Sequence, residues 1–546
     1  MANDESNASE RPAPDAPRAG FWSRLDRWLE RAGERLNPIL VKEARQALKS
    51  RQFISTFTLL LLCGWGWSLM GVAMMSPEIH YAPSGPSMLV GYCFVLAVPL
   101  LLIVPFVTYR SLASEREDGT YELLSITALS SRQIVSGKMG SAVLQMMVYY
   151  SALSPCIAFT YLLRGVDVLT ILLFLLYTFL ASVILSLASL VVATMTHLRH
   201  LQMLLSVLLL LGLAFVTLVW CVWSAQVVSM GWFPYDDPDF WVAQLSLLSG
   251  YVSYCILFLF AAAAQLSFAS DNRSTRLRVI MLGQQILLVA WMMYYWLTEG
   301  EEGVLYALVA VSGFHWMVMG ALMTGEWGVL SPRVKRRLPQ SLLGRALLTW
   351  FNPGPGTGYV FAVVNFGAVV LVAWTANAIG GIVGFRGADS GLGLYLFGGL
   401  ACAYLAAYLG VGRLLVLLVR RKLQFGLLMP LIVHGILVVL GAAVPAFLQA
   451  WLFGFDGLDD YTVFQATNWP WTLGLAADVD PQLMSALGAP VFVVFAAVAI
   501  FVVNLIAAAR EVEQVRQETP ARVLEDDLER HPELVAQTSP RSPFDD

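Results

Sequence analysis

The sequence predicts an all-α fold: a polytopic membrane helical bundle of about twelve transmembrane helices, preceded by an interfacial amphipathic helix. Three observations carry that prediction. First, 58% of the 546 residues are hydrophobic and 13% are charged, with a mean hydropathy of +0.66. Soluble domains carry roughly 25% charged residues, so this complement is too small to cover a water-soluble fold of 60 kDa. Second, the apolar residues run in blocks of 19 to 28, and a hydrocarbon core of ~30 Å is crossed by roughly 20 helical residues. Third, Lys and Arg fall almost wholly into alternate connecting segments. The six cysteines (63, 93, 156, 221, 255 and 402) all lie in apolar blocks without a CxxC spacing. They are read as small buried hydrophobes, not as a disulfide or zinc framework.

In chain order, residues 1–20 are polar, rich in Pro and Ala, and expected to be disordered. No signal peptide is read, because the first apolar block lacks a small-residue cleavage site. Residues 21–52 form the interfacial and connecting region. Within 21–36, Trp22, Leu25, Leu29, Ala32 and Leu36 recur at helical spacing while Arg24, Arg27, Arg31 and Arg35 occupy other faces. Such a helix lies at headgroup depth with its arginines toward anionic lipid. Asn37-Pro38 breaks it, and a second basic helix from Ile39 to Arg51 leads into the first span. A plain membrane anchor remains the competing reading of this region.

The predicted spans are 53–75, 87–109, 139–163, 168–195, 201–223, 241–268, 279–297, 304–324, 359–382, 392–411, 427–452 and 488–508. With the N-terminus cytoplasmic, 32 of the 34 Lys and Arg residues fall on the cytoplasmic side and only Arg164 and Arg386 opposite. A wrong number of spans would scramble that split. Both termini are therefore expected in the cytoplasm. The tenth span has an alternative end, running on through Leu414–Val419 and burying Arg413. No Asp, Glu, Lys or Arg falls inside the predicted spans, and His315 and His434 are the strongly titratable groups at membrane depth. Membrane-buried carboxylates or lysines mark ion-coupled pathways, so an ion-driven secondary transporter is disfavoured.

The most distinctive stretch is the loop 110–138. It contains Ser114-Glu115-Arg116-Glu117-Asp118-Gly119-Thr120-Tyr121-Glu122-Leu123-Leu124 and closes with Ser131-Arg132-Gln133-Ile134-Val135-Ser136-Gly137-Lys138. This reads as an acidic helix, a glycine break, an amphipathic turn and a basic return. Apolar side chains flanked by charge at a membrane surface suit a docking element for a soluble partner. An ordinary solvated loop is the alternative.

Together with Asn37-Pro38-Ile39-Leu40-Val41-Lys42-Glu43, these motifs resemble the ABC-2 type permease, the membrane subunit of ATP-binding-cassette exporters. The likeness is to the permeases of gliding-motility and nitrous-oxide-reductase maturation systems, and it covers roughly residues 21–270. The resemblance implies a bacterial inner-membrane protein whose N-terminal helix and 110–138 loop seat against a separate ATPase subunit. It implies ATPase-docking roles for Glu115, Glu117, Asp118, Gly119, Thr120 and Glu122, with Arg132 and Lys138 setting the loop against the membrane surface. Such permeases usually have six spans and work in pairs. Here residues 53–270 form the permease-like half, residues 271–508 a second six-span half, and 509–546 a charged tail expected to be disordered. The second half is either a diverged duplicate, making one chain a pseudo-dimer, or an appended bundle. Its corresponding loop, 325–358, is basic and Pro/Gly-rich, with Glu326 its one acidic residue.

No Walker A sequence is present: Gly137-Lys138 has Arg132 where the first glycine would stand and Met139 where Ser or Thr would follow. ATP hydrolysis is therefore expected of a partner, and no catalytic, cofactor, metal or nucleic-acid site is assigned. Gly354, Gly356 and Gly358 read as a turn at a membrane entry, and His197 with His200 lacks a third metal ligand. An integral-membrane transferase or protease would have to draw its catalysts from Asp236, Asp237 and Asp239 or from Asp456, Asp459 and Asp460. A membrane scaffold is the third class. The transported substrate is not encoded legibly.

Overall fold

The computed structural model describes residues 37–77, 81–119, 129–196, 198–230, 233–268, 271–326, 344, 348–388, 391–421, 426–454, 460–516, 526 and 529–530. The expected disordered segment 1–20, the arginine-rich helix 21–36 and most of the tail lie outside the described residues. Among the described residues there is no strand, and twelve helices are long and apolar enough to cross a membrane. The protein is an all-α, multi-pass membrane bundle.

A short helix, α1 (Pro38–Leu48), precedes the first span. The spans are α2 (Arg51–Met75), α3 (Gly85–Glu117), α4 (Ser131–Leu162), α5 (Val168–Thr194), α6 (Arg199–Met230), α7 (Pro238–Leu266), α8 (Thr275–Glu299), α9 (Gly303–Thr324), α10 (Pro355–Val383), α11 (Gly393–Arg420) and α12 (Leu428–Phe453). Two short helices, α13 (Trp469–Ala477) and α14 (Pro481–Ser485), come before the last span, α15 (Gly488–Arg516).

Number and order match the apolar blocks, but several boundaries move, among them the start of α8 at Thr275 and the end of α15 at Arg516. Helix α3 runs on to Glu117, α4 starts at Ser131, and α11 continues to Arg420, the longer of the two ends expected for that span. The α3 and α4 extensions are polar in sequence and their charges find partners in the fold, whereas the α11 extension carries the apolar run Leu414–Val419 between Arg413 and Arg420. Lys138, Arg278 and Arg413 are consequently buried inside helices, at 3%, 0% and 0% exposure, whereas the predicted spans contained no basic residue. Each is paired with a glutamate: Glu115, Glu326 and Glu511 respectively. The middle thirds of the spans stay free of charge, so the argument against an ion relay is confined to them.

The prolines of α3 act locally. Val98–Ile103 forms a π-helical turn between Pro99 and Pro105. In a π turn the donor to the Leu100 carbonyl would be the N–H of residue 105, which proline lacks. The Ser182 hydroxyl of α5 donates to that carbonyl instead, at 2.6 Å.

The two halves repeat one packing order. In the first, α3 packs on α4, α5 and α6, and α7 packs on α4 and α5. In the second, α9 packs on α10, α11 and α12, and α15 packs on α10 and α11. Helices α7 and α8 join them. The first half has its own core, including Leu100, Val104, Tyr109, Ile134 and Tyr149. Leu257 of α7 belongs to the core of the second, with Trp316, Tyr359 and Phe366. At the end carrying Arg386, a neutral polar cluster fixes the segment between α12 and α15. Tyr404 donates to the Ala466 carbonyl (2.7 Å), Gln465 to Gln449 Oε1 (2.6 Å), and Tyr461 and Thr472 share a hydrogen bond (2.8 Å).

Candidate functional site

The residues that carry the permease resemblance gather at the lysine- and arginine-rich end of the first half, here the basic end. Asn37 caps α1 by accepting from the Ile39 N–H, and its amide donates to the Gln133 carbonyl on α4. Two glycines of α4 then bring the helices together. A Cβ on Gly137 would lie 2.8 Å from Ile39 Cγ2, and one on Gly140 would lie 2.7 Å from Leu40 Cδ1. Gly140→Leu should therefore lift α1 off α4 without touching a charged residue. The expected readout is several-fold faster tryptic cleavage after Lys42 or Arg45 in the purified chain.

Lys138 sits at the centre of this contact. Its ammonium lies 3.0 Å from Glu115 Oε2 on α3 and 3.3 Å from Glu43 Oε1 on α1, and donates to the Ser111 carbonyl at 3.2 Å. The ammonium thus meets two carboxylates and one carbonyl. Lys138 thereby joins α1, α3 and α4 at one point. It was expected to meet the membrane surface; enclosed by two carboxylates, it has no exposed charge to do so. Glu115 likewise turns inward, its side chain 16% exposed, while Lys42 lies 3.8 Å from both Glu115 and Glu43.

Beyond Glu115 the described chain approaches the surface. Glu117 is half-buried, and Asp118 and Gly119 are exposed. Gly119 has φ +68°, the left-handed geometry that ends a helix and favours glycine. Thr120 and Glu122 lie outside the described residues. The chain returns at Ser130, which forms a capping box with Gln133: the Ser130 N–H donates to Gln133 Oε1 at 2.9 Å, and the Gln133 N–H donates to Ser130 Oγ. Arg132 stacks over the Phe260 ring of α7, 4.6 Å from its centroid. Arg116 donates to the Ala193 carbonyl at the end of α5 (3.2 Å), and Tyr109 to the Gln202 carbonyl on α6 (3.1 Å). These contacts link the end of α3 and the start of α4 to α5, α6 and α7.

On the outer side of α1, Lys42, Arg45, Gln46 and Lys49 are exposed and line an open depression of about 560 Å³ with Pro38 and Val41. The platform therefore presents a cationic stripe beside an acidic tip.

The second half has a corresponding knot at its basic end. Arg278 pairs with Glu326 (2.5 Å) and donates to the Trp350 and Gly354 carbonyls and the Thr357 hydroxyl. The Gly354 N–H donates to Glu326 (3.1 Å) and the Gly356 N–H to Glu511 (2.9 Å). Two carboxylates thus cap the N-terminus of α10, where the helix dipole favours negative charge. The reading of Gly354, Gly356 and Gly358 as a turn holds only for Gly354, which precedes α10; Gly356 and Gly358 lie in the helix's first turn. Arg413 completes the knot through Asn504 and Glu511, and Arg420 through the Gly325 and Glu326 carbonyls.

Elsewhere, the Asp237 side chain accepts from the Asp239 N–H at the start of α7, a helix cap. Asp456, Asp459 and His197 lie outside the described residues. Among the described residues no group of three or more His, Cys, Asp or Glu could hold a metal ion, and the six cysteines are free thiols. Compared with known proteins, the chain matches no family model, no curated protein and no solved structure.

Sequence reasoning missed Glu43, Ser111 and Asn37 as parts of the pin, and the Arg278–Glu326 and Arg413–Glu511 pairs. The Ser130-x-x-Gln133 capping box was a usable signal that α4 begins eight residues before its apolar block. The pairings carried no such signal, because their partners stand up to 98 positions apart.

Proposed function

We propose that this chain is the membrane-spanning permease subunit of an ATP-driven exporter. It docks a separate ATPase through α1 and the 110–138 loop, at the cytoplasmic face of a bacterial inner membrane. The observation that carries the reading is the buried Lys138 pin, which fastens α1 and the base of the 117–119 tip to α3 and α4. A loop that served only as a tether would need no such attachment, whereas a loop that receives force does. The basic end is then the cytoplasmic side, consistent with the excess of Lys and Arg there.

In this mechanism, nucleotide-driven closure of the ATPase pushes the exposed tip toward the membrane. The pin converts the push into a joint tilt of α3 and α4. The Arg116, Tyr109 and Arg132 contacts carry it to α5, α6 and α7. The repeated packing order of the two halves supports the reading of the chain as a fused pseudo-dimer. The test is capture of the ATPase from native membranes. Glu117→Arg with Glu122→Arg is expected to abolish co-purification while the chain still inserts and melts normally; undiminished capture would sink the assignment.

A further inference from the structure

Apart from the platform, the most unusual chemistry lies halfway through the membrane, where α7 connects the halves. Helices α7 and α8 are laced by side-chain hydrogen bonds: Ser246 with Tyr295 (2.8 Å), Trp291 to Ser249 (2.8 Å) and Gln284 to Ser253 (3.4 Å). Tyr254 extends the lacing to α9 through His315 Nδ1 at 2.9 Å. Tyr254, Gln284, Ser312 and His315 all lie within roughly one helical turn of the midpoints of their helices. They therefore lie at about one depth, where the Gln284–Ser253 and Tyr254–His315 contacts tie α7 to α8 and α9.

Three polar atoms at this junction have no hydrogen-bond partner: Gln284 Oε1, Ser312 Oγ and His315 Nε2. Their residues are 7%, 2% and 8% exposed. Polar groups at such depth normally find partners. His434 gives the contrast. Its Nδ1 faces the Pro430 carbonyl at 2.7 Å and its Nε2 the Leu409 carbonyl at 3.4 Å, so both ring nitrogens are occupied and the side chain is structural.

We propose that the α7–α8–α9 junction binds a hydroxyl-bearing, uncharged group, entering when the seam between the halves parts. The chemistry selects that class. Gln284 Oε1 needs a donor, and Ser312 takes either role. His315 Nε2 needs a donor or an acceptor according to which nitrogen bears the proton. A hydroxyl both donates and accepts, so it fits either tautomer. Among the described residues, no carboxylate, Lys or Arg stands within the middle third of these helices to neutralise a charged group. The inference rests on the permease reading only for the route by which the ligand arrives; binding itself is measured with no ATPase present.

The test uses the full chain in lipid nanodiscs and octyl glucoside carrying a photoreactive diazirine on its alkyl tail. The same tail on a trimethylammonium headgroup is the control. The glucoside is expected to label the α9 peptide containing Ser312 and His315 several-fold more than the ammonium probe. Gln284→Leu with Ser312→Ala is expected to cut that labelling roughly tenfold, as the loss of two hydrogen bonds would. Thr375→Ala, at an exposed position on α10 bonded only to its own helix, should leave it unchanged. Competition by free glucose would identify a soluble ligand, and competition only by unlabelled octyl glucoside a lipid headgroup; either supports the site. Equal labelling by both probes, no labelling of α9, or labelling unchanged in the double variant would overturn it. The two-probe comparison uses the unaltered chain, so the outcome does not depend on a variant folding.

Discussion

Arg278→Ala is expected to destabilise the second half by about 3–5 kcal/mol, the loss found when one partner of a buried ion pair is removed. The guanidinium is fully buried and bonds Glu326, two carbonyls and the Thr357 hydroxyl. Without it, the Glu326 carboxylate keeps the Gly354 N–H, the α10 N-terminus and the nearby Arg420 charge for compensation. The measurement is the thermal midpoint of the detergent-purified chain. Arg278→Met with Glu326→Gln should recover most of the loss, because both charges leave together and a glutamine oxygen still accepts from Gly354. If the single and double variants melt alike, the pair does not hold this end together.

Lys138→Ala should have the largest effect on coupling. It leaves Glu43 and Glu115 facing each other across a nearly dry contact, with Lys42 at 3.8 Å from each as the remaining cation. Helix α1 is then expected to detach from α4, and partner-dependent ATP turnover to be lost even where the chain stays folded. Lys138→Arg keeps the charge but not the compact three-donor geometry, and should restore stability better than it restores turnover. Normal turnover in Lys138→Ala would separate the pin from the coupling route.

These two sites also show where the sequence was legible. Twelve apolar blocks and the alternation of Lys and Arg gave the architecture, because a bilayer imposes length and charge rules that act residue by residue. Gly119 was readable as a break, since few residues other than glycine adopt its positive φ. The end of α3 was not readable, the start of α4 was marked only by its capping box, and the longer end of α11 stood as one of two alternatives. Ser131–Lys138 looks polar enough for a loop, yet the Ser130–Gln133 capping box and the enclosure of Lys138 by Glu43 and Glu115 make it the base of a helix. Arg413 was recognised as a residue that a longer span would bury, but its partner Glu511 lies four helices later. The unpaired polar atoms of Gln284, Ser312 and His315 belong to the same class. Each residue is ordinary in its own helix, and the junction exists only once three helices meet.

The central claim is that a nucleotide-hydrolysing companion grips the exposed tip. A photo-crosslinking amino acid placed at Asp118 and activated in native membranes tests it most directly. The account predicts one dominant adduct, a soluble subunit with a Walker A sequence, lost in Glu117→Arg with Glu122→Arg. An adduct confined to lipid, or to a protein without a nucleotide-binding site, would contradict it.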